Sequence, residues 1–195
     1  MDQPDQKIGQ SFLDGILANE QLNLDSLPPV DQWSPNLNGD LDMRIDREGR
    51  WFYLGDEIRR PAMIKMFSRI LKREGDDYFL LTPVEKWRIK VDEAPFLIVT
   101  ARKEVDPKGE PSFVLSTNVG DEFVLGAGHA LWMHNLNQRN EEPKPLVMVR
   151  QQLPGLISRN VFYQLVDEAD ISTDGGVSGM YICSAGERFC LGYID

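Results

Sequence analysis

The chain has 195 residues, 42% of them hydrophobic and 27% charged, and a net charge of −10. This is the balance of a soluble globular chain long enough for one or two cores. No apolar run can span a bilayer, and the negative charge excludes a nucleic-acid duplex as partner, because duplex binding is dominated by phosphate neutralisation.

Residues 8–20 read as an amphipathic helix with Phe12, Leu13, Ile16 and Leu17 on one face. Its flank Met1-Asp2-Gln3-Pro4-Asp5-Gln6-Lys7 lacks the basic-then-apolar order of a secretory signal, which predicts a cytoplasmic location. Leu27-Pro28-Pro29-Val30 breaks the helix, and Trp33-Ser34-Pro35 continues as an extended linker.

A β-hairpin follows. Met43, Ile45, Phe52 and Leu54 alternate with Arg44, Asp46, Trp51 and Tyr53 around Gly49. A two-residue turn at Glu48-Gly49 pairs Ile45 with Phe52 and Met43 with Leu54. A three-residue loop with a bulge instead puts Phe52 opposite Arg44. Apolar matching favours the two-residue turn, and in either register Arg44 faces away from the core. The phrase G-x-x-F-x-L-G around this turn, Gly49 to Gly55, recurs at Gly120 to Gly126 and at Gly186 to Gly192. Such self-similarity points to repeated structural modules.

Pro61 then opens a helix striped with Met63, Ile64, Met66, Phe67, Ile70 and Leu71. Lys72 and Arg73 are expected in its last turn, Gly75 as its stop, and Lys65, Arg69 and Lys72 along one flank. Residues 78–82, 88–91 and 96–99 read as strands punctuated by Pro83, Asp92-Glu93 and Pro95. The second hairpin covers 113–125, and 134–145 is expected to be a long exposed loop. Leu146 to Arg150 is a strand, Ser158 caps a helix carrying Val161, Phe162, Leu165 and Val166, and 170–179 is a loop before the last hairpin. Cys183 and Cys190 both fall in that hairpin, diagonal to each other or on opposite faces, so no disulfide is expected. Hairpins outnumber helices without a strand–helix–strand rhythm, which makes the class α+β. The expected parts are an N-terminal helical arm and linker over 1–32, a first α+β lobe over 33–105 and a second over 106–195.

Charge is uneven: residues 1–40 carry −6, residues 41–103 carry +3 and residues 104–195 carry −7. The middle excess of cations can hold a small anion. No nucleophile elbow, phosphate-binding loop, H-E-x-x-H or dinucleotide fingerprint is present. Two cysteines and two histidines, scattered, do not suggest a metal site. Thr82, Glu85 and Lys86 place a hydroxyl, a carboxylate and an ammonium at a strand end; the plainer reading is a solvated turn with one ion pair. Arg150 closes an apolar strand and Arg159 opens a helix, both suited to bidentate anion recognition or to ordinary surface duty. His129 and His134 could exchange protons, although surface histidines are commoner.

Several phrases together resemble a bacterial family of unknown function numbered 1285. They are Trp33-x-Pro35, Gly39-Asp40 through Asp42-Met43-Arg44-Ile45 to Gly49-x-Trp51-x-Tyr53-x-Gly55, and Ile58-x-Arg60. Met66-Phe67-Ser68, Thr82-Pro83-Val84-Glu85-Lys86, Ala94-Pro95-Phe96, Thr117-Asn118, Val149-Arg150 and Arg159 with Val161-Phe162-Tyr163 follow in order. The resemblance implies two lobes with a duplicated core, the second similar to pleckstrin-homology folds, and a signalling role with a nucleotide-like ligand between the lobes. It carries over no catalytic residue and no cofactor. The candidate ligand-binding residues are therefore Arg44, Arg60, Thr82, Glu85, Lys86, Thr117, Asn118, Arg150 and Arg159. The alternatives are a protein-interaction module, and an enzyme using Glu85 or His129.

Overall fold

A computed structural model describes residues 27–105, 109–135, 142–174 and 176–194. The expected helix over 8–20 and residues 136–141 of the expected loop over 134–145 lie outside the described residues. The class is α+β: the described residues form two six-stranded sheets, a three-stranded sheet and two α-helices. Contacts divide the chain at Asp92/Glu93 into two units.

The first unit's strands are β1 (Leu37–Ile45), β2 (Trp51–Tyr53), β3 (Asp56–Glu57), β4 (Leu71–Glu74), β5 (Asp77–Leu81) and β6 (Lys86–Val91). Helix α1 (Pro61–Arg69) joins β3 to β4. The sheet order is β3-β2-β1-β6-β5-β4. Two antiparallel three-stranded meanders meet at β1 and β6, which run parallel; hairpin signals alone did not anticipate that central pair.

One face of the sheet is apolar. Leu41, Met43, Ile45, Trp51, Leu71, Leu80, Trp87 and Ile89 are buried there by strand alternation. Met66 and Phe67 of α1 are buried too, and Phe67 stacks on Trp51 at 6.0 Å between ring centroids. Pro61 occupies the first turn, where its missing N–H costs nothing. The helix stops at Arg69, earlier than its apolar stripe suggests. Leu71 to Glu74 form a strand instead, because Gly75-Asp76 closes a two-residue turn that pairs Glu74 with Asp77. Lys72 consequently leaves the helix flank and joins β4.

The first hairpin takes the three-residue loop. Ile45 pairs with Trp51, Arg44 with Phe52 and Met43 with Tyr53. Trp51, fully buried, is thus the core residue of the returning strand, and Leu54 is exposed. A one-residue change of register moves a whole strand's side chains to the other face.

The second unit's strands are β7 (Phe96–Val105), β8 (Pro111–Thr117), β9 (Glu122–Val124), β10 (Leu131–His134), β11 (Lys144–Arg150) and β12 (Leu153–Ile157). Helix α2 (Arg159–Asp167) follows, then β13 (Asp170–Asp174), β14 (Val177–Ser184) and β15 (Glu187–Ile194). The sequence reading carried the first lobe through residue 105. Strand β7, which ends there, groups with the second unit because it pairs with β8 and β12. The six-stranded order is β10-β11-β12-β7-β8-β9, with β12 and β7 parallel at its centre. Renumbered from its own first strand, this is the order of the first sheet. The duplication is thus one of topology. The repeated phrase is out of step with it: copy one, Gly49 to Gly55, holds the second strand of its unit, and copy two, Gly120 to Gly126, the third strand of the other.

Segment 170–174, expected as loop, pairs with β14 as the edge of the three-stranded sheet. The last hairpin does take the expected two-residue turn, with Ala185 and Gly186 at φ 50° and 77° and Ile182 opposite Phe189. Cys183 faces Arg188, Cys190 faces Tyr181, and both thiols are free. Buried Ser184 ties this turn to the larger sheet: its hydroxyl accepts from Phe113 N (2.9 Å) and donates to Leu125 O (2.7 Å). Ser158 sits in the cap position of α2 without a side-chain cap bond. The helix is held by Gln164 Nε2, which donates to Ala101 O of β7 at 2.8 Å, and by the Lys103–Glu168 ion pair at 2.6 Å.

Candidate functional site

Strand β6 alternates in chemistry. Trp87 and Ile89 enter the core, while Lys86, Arg88 and Lys90 stand on the outer face. Arg44 of β1, opposite Lys90 in the register, joins this cationic row. The parallel β1–β6 ladder is irregular here: Asp40 pairs with Arg88 and Arg44 with Lys90, so β1 carries two more residues than β6 between the rungs. A cleft of about 380 Å³ borders the irregularity, lined among others by Asp40, Asp76, Asp77, Tyr78, Arg88 and Lys90. That volume suits a small molecule.

The cations are not equally engaged. Lys86 pairs with Glu74 and lies 4.2 Å from the Phe79 ring centroid. The hydrogen bond from Lys86 holds the Glu74 carboxyl below its usual range. Arg44 grips Asp92 through Nε, at 3.0 and 3.1 Å, and through Nη2. That contact lowers the Asp92 carboxyl and raises the Arg44 guanidinium. Arg88 is held loosely, 3.4 Å from Asp40 and 3.6 Å from Asp77. Its Nε is buried and makes no hydrogen bond among the described residues. Tyr78 is among the lining residues, and burial raises its phenol.

The residues expected from sequence separate into local groups. Thr82 Oγ1 accepts the N–H groups of Glu85 (3.0 Å) and Val84 (3.4 Å), and Thr82 N donates to Glu85 O (2.9 Å). Thr82 and Glu85 thus build a turn, and Lys86 N closes onto Asn38 Oδ1 at 2.9 Å. In the second unit, Thr117, Asn118 and Arg150 do come together. Thr117 Oγ1 accepts from Asp121 N at 3.0 Å, and Arg150 lies 3.6 Å from Asp121 and 4.9 Å from the Phe96 ring centroid. Asn118 pins the β8–β9 turn to β7, its N–H on Leu97 O (2.8 Å) and its Oδ1 on Leu97 N (3.1 Å). Arg60 and Arg159 are exposed at the starts of α1 and α2. His129 stacks on Phe123 at 4.4 Å, with Nδ1 2.9 Å from Met148 O.

The sequence reading missed Asp40, Asp77, Tyr78, Arg88 and Lys90. The alternation Lys86-Trp87-Arg88-Ile89-Lys90 could have flagged the row, since three cations at period two share a face. The cleft itself depends on the ladder irregularity, which leaves no local signal. Among the described residues no group of three or more His, Cys, Asp or Glu side chains could hold a metal, and no helix is long and apolar enough to cross a membrane.

Two family models match consecutive stretches of the chain: Domain of unknown function (DUF1285), N-terminal domain, on residues 28–94, and Protein of unknown function (DUF1285), C-terminal domain, on residues 95–191. The chain belongs to the DUF1285 family. A crystal structure of a DUF1285 protein from Silicibacter pomeroyi DSS-3 is 40% identical with a TM-score of 0.79, covering 92% of this chain and 93% of its own. A DUF1285 protein from Shewanella baltica OS155 is 29% identical with a TM-score of 0.50, over 65% of this chain and 91% of its own. No curated protein matches. The cleft falls wholly within the residues of the DUF1285 N-terminal domain.

Proposed function

We propose that the protein is a non-enzymatic, cytoplasmic binding protein for a small ligand carrying an anionic group, with a signalling role. The first unit's cleft is our choice of site. The observation behind this reading is Arg88: a guanidinium lining a cleft of ligand size, with a buried Nε that bonds nothing among the described residues. Its nearest acceptor, the Asp77 carboxylate at 3.6 Å, is too far for a hydrogen bond, and an incoming carboxylate or phosphate oxygen at bonding distance would satisfy that donor. The net charge of −10 favours a small ligand over a nucleic acid. Binding is preferred over catalysis because His129 is engaged by Phe123 and Met148 O, and Thr82 and Glu85 by their own turn. The second unit's likeness to pleckstrin-homology folds belongs to the same proposal, motivated by the helix that follows its six strands; an experimental structure whose second unit superposes on no such fold removes it.

A thermal-shift screen of small molecules that carry an anionic group, including α-amino acids, nucleoside monophosphates and inorganic phosphate, tests the binding reading. A ligand at 100 times its Kd stabilises the folded state by about 2.7 kcal/mol. The expected result is a rise in melting temperature that Arg88→Gln abolishes. A shift that persists unchanged in an Arg88→Gln, Lys90→Gln double variant would falsify the site.

A further inference from the structure

The cleft's charges narrow its ligand. Asp76 of the lining is exposed and paired with Arg73 at 3.6 Å, which leaves two cations, Arg88 and Lys90, facing two carboxylates, Asp40 and Asp77. With these four ionised the balance is zero, so a ligand that is only anionic adds charge that the lining does not offset. Arg88 is loosely paired to two of those carboxylates, at 3.4 and 3.6 Å, both outside strong charge-assisted hydrogen-bond range. An anionic group that takes the Arg88 fork displaces at least one of them. The displaced aspartate then needs a cation to replace the one it loses. A ligand that supplies both charges satisfies each party and leaves the balance unchanged.

Resting on the binding reading above, we propose that the ligand is a small zwitterion of the α-amino-acid class. Its carboxylate is held by Arg88, and its ammonium sits between Asp40 and Asp77. Arg88 sets the position of the carboxylate because a planar guanidinium presents two parallel N–H groups, which an ammonium cannot. Asp77 sets the demand for the second charge. Lys90, exposed at the cleft's border, adds long-range attraction for the carboxylate end. Tyr78 and the apolar Leu41, Ile89 and Val91 complete the lining and favour a ligand side chain with apolar character.

The test is NMR titration of the isotope-labelled full chain with the common α-amino acids, with acetate and methylamine as the two half-ligands, and with a nucleoside monophosphate. The expected result is saturable shifts at the Asp40, Asp77 and Arg88 amides with at least one amino acid, and much weaker binding of either half-ligand. Asp77→Asn should weaken the amino acid about tenfold while leaving acetate unaffected, since a hydrogen bond to a charged group carries roughly that discrimination. Arg88→Lys keeps the charge and removes the fork, so it too should weaken the amino acid about tenfold without threatening the fold. Saturable nucleotide binding at these amides with no amino-acid binding overturns the zwitterion and leaves the binding reading standing. Silence from every probe overturns both. Amino-acid binding indifferent to Asp77→Asn and Arg88→Lys also overturns the assignment.

Discussion

Ser184→Ala should be among the most destabilising single-atom deletions in the second unit. Ser184 is fully buried, and its hydroxyl is the only side-chain group that bridges Phe113 N and Leu125 O in the described structure. Alanine removes one oxygen and strands two backbone groups. The Phe113 N–H loses its acceptor in a site closed to water, which costs about 1–3 kcal/mol. Leu125 O has a second lone pair and suffers less, and the void left by a hydroxyl is small. The sum is about 2–3 kcal/mol, which at roughly 2–4 °C per kcal/mol for a chain of this size lowers Tm by about 4–12 °C. The docking of the last hairpin should loosen with it, because Ala185 N on Pro111 O (3.0 Å) is the neighbouring bond. Urea unfolding followed by circular dichroism measures the first effect, and hydrogen exchange at Phe113 and Ala185 the second. Ser178→Ala, whose hydroxyl meets only Thr173 near the surface, is the matched control at under about 0.5 kcal/mol. A Ser184→Ala protein within 0.5 kcal/mol of the parent, with Phe113 still protected, would refute the reasoning.

Gly155→Ala should cost about 1–3 kcal/mol by overpacking, because a Cβ there would stand 2.8 Å from Val149 Cγ2 and 3.0 Å from Ile98 Cδ1; calorimetry that finds it neutral means β12 can move aside. Asp46→Ala should open the first hairpin, since its buried carboxylate accepts from Glu48 N (3.0 Å), Arg50 N (2.9 Å) and Arg50 Nε (2.8 Å); loss of protection at Glu48 and Arg50 in hydrogen exchange is the readout. Asp92 and Glu74 both have carboxyls lowered by their cationic partners, so their contribution is complete above the ordinary carboxylate range and fades as pH falls through about 4 and below. Urea midpoints from pH 6 to pH 3 should fall less steeply in Asp92→Asn than in the parent, and parallel curves would remove Asp92 from the acid limb.

Much of the fold was written locally. Pro61, the Met66-Phe67 stripe, the apolar run of β5, the alternation of β6 and the glycine turns all follow from period and turn chemistry. What escaped was set by distant partners. Strand β12 reads Leu-Pro-Gly-Leu-Ile, poor strand chemistry for a central position. It is tolerated because Pro154 sits beside the ladder irregularity between Met148 and Arg150, where an N–H is dispensable. Gly155 is required where Val149 and Ile98 close over the backbone. Strand β4 was hidden inside an apparent helix because Leu71 continues the apolar spacing of α1, and only pairing with β5 decides against it.

The hairpin registers had a signal that apolar matching overrode. Asp46 stands three residues before Gly49 and Thr117 three before Gly120. In both turns that side chain accepts the N–H groups two and four residues on, and its own N–H bonds the carbonyl four residues on. A side-chain acceptor at that offset selects the three-residue loop. The last hairpin has Cys183 there, a weak acceptor, and takes the two-residue turn. The turn acceptor sets the register, and the buried residue of the preceding strand then sets the inward face: Ile45 brings Trp51 inward in the first copy, whereas Leu115 brings Phe123 inward in the second. Arg44 lies on the outer face beside Lys90 in either register, and Asp46 decides only that Phe52 stands opposite it across the hairpin.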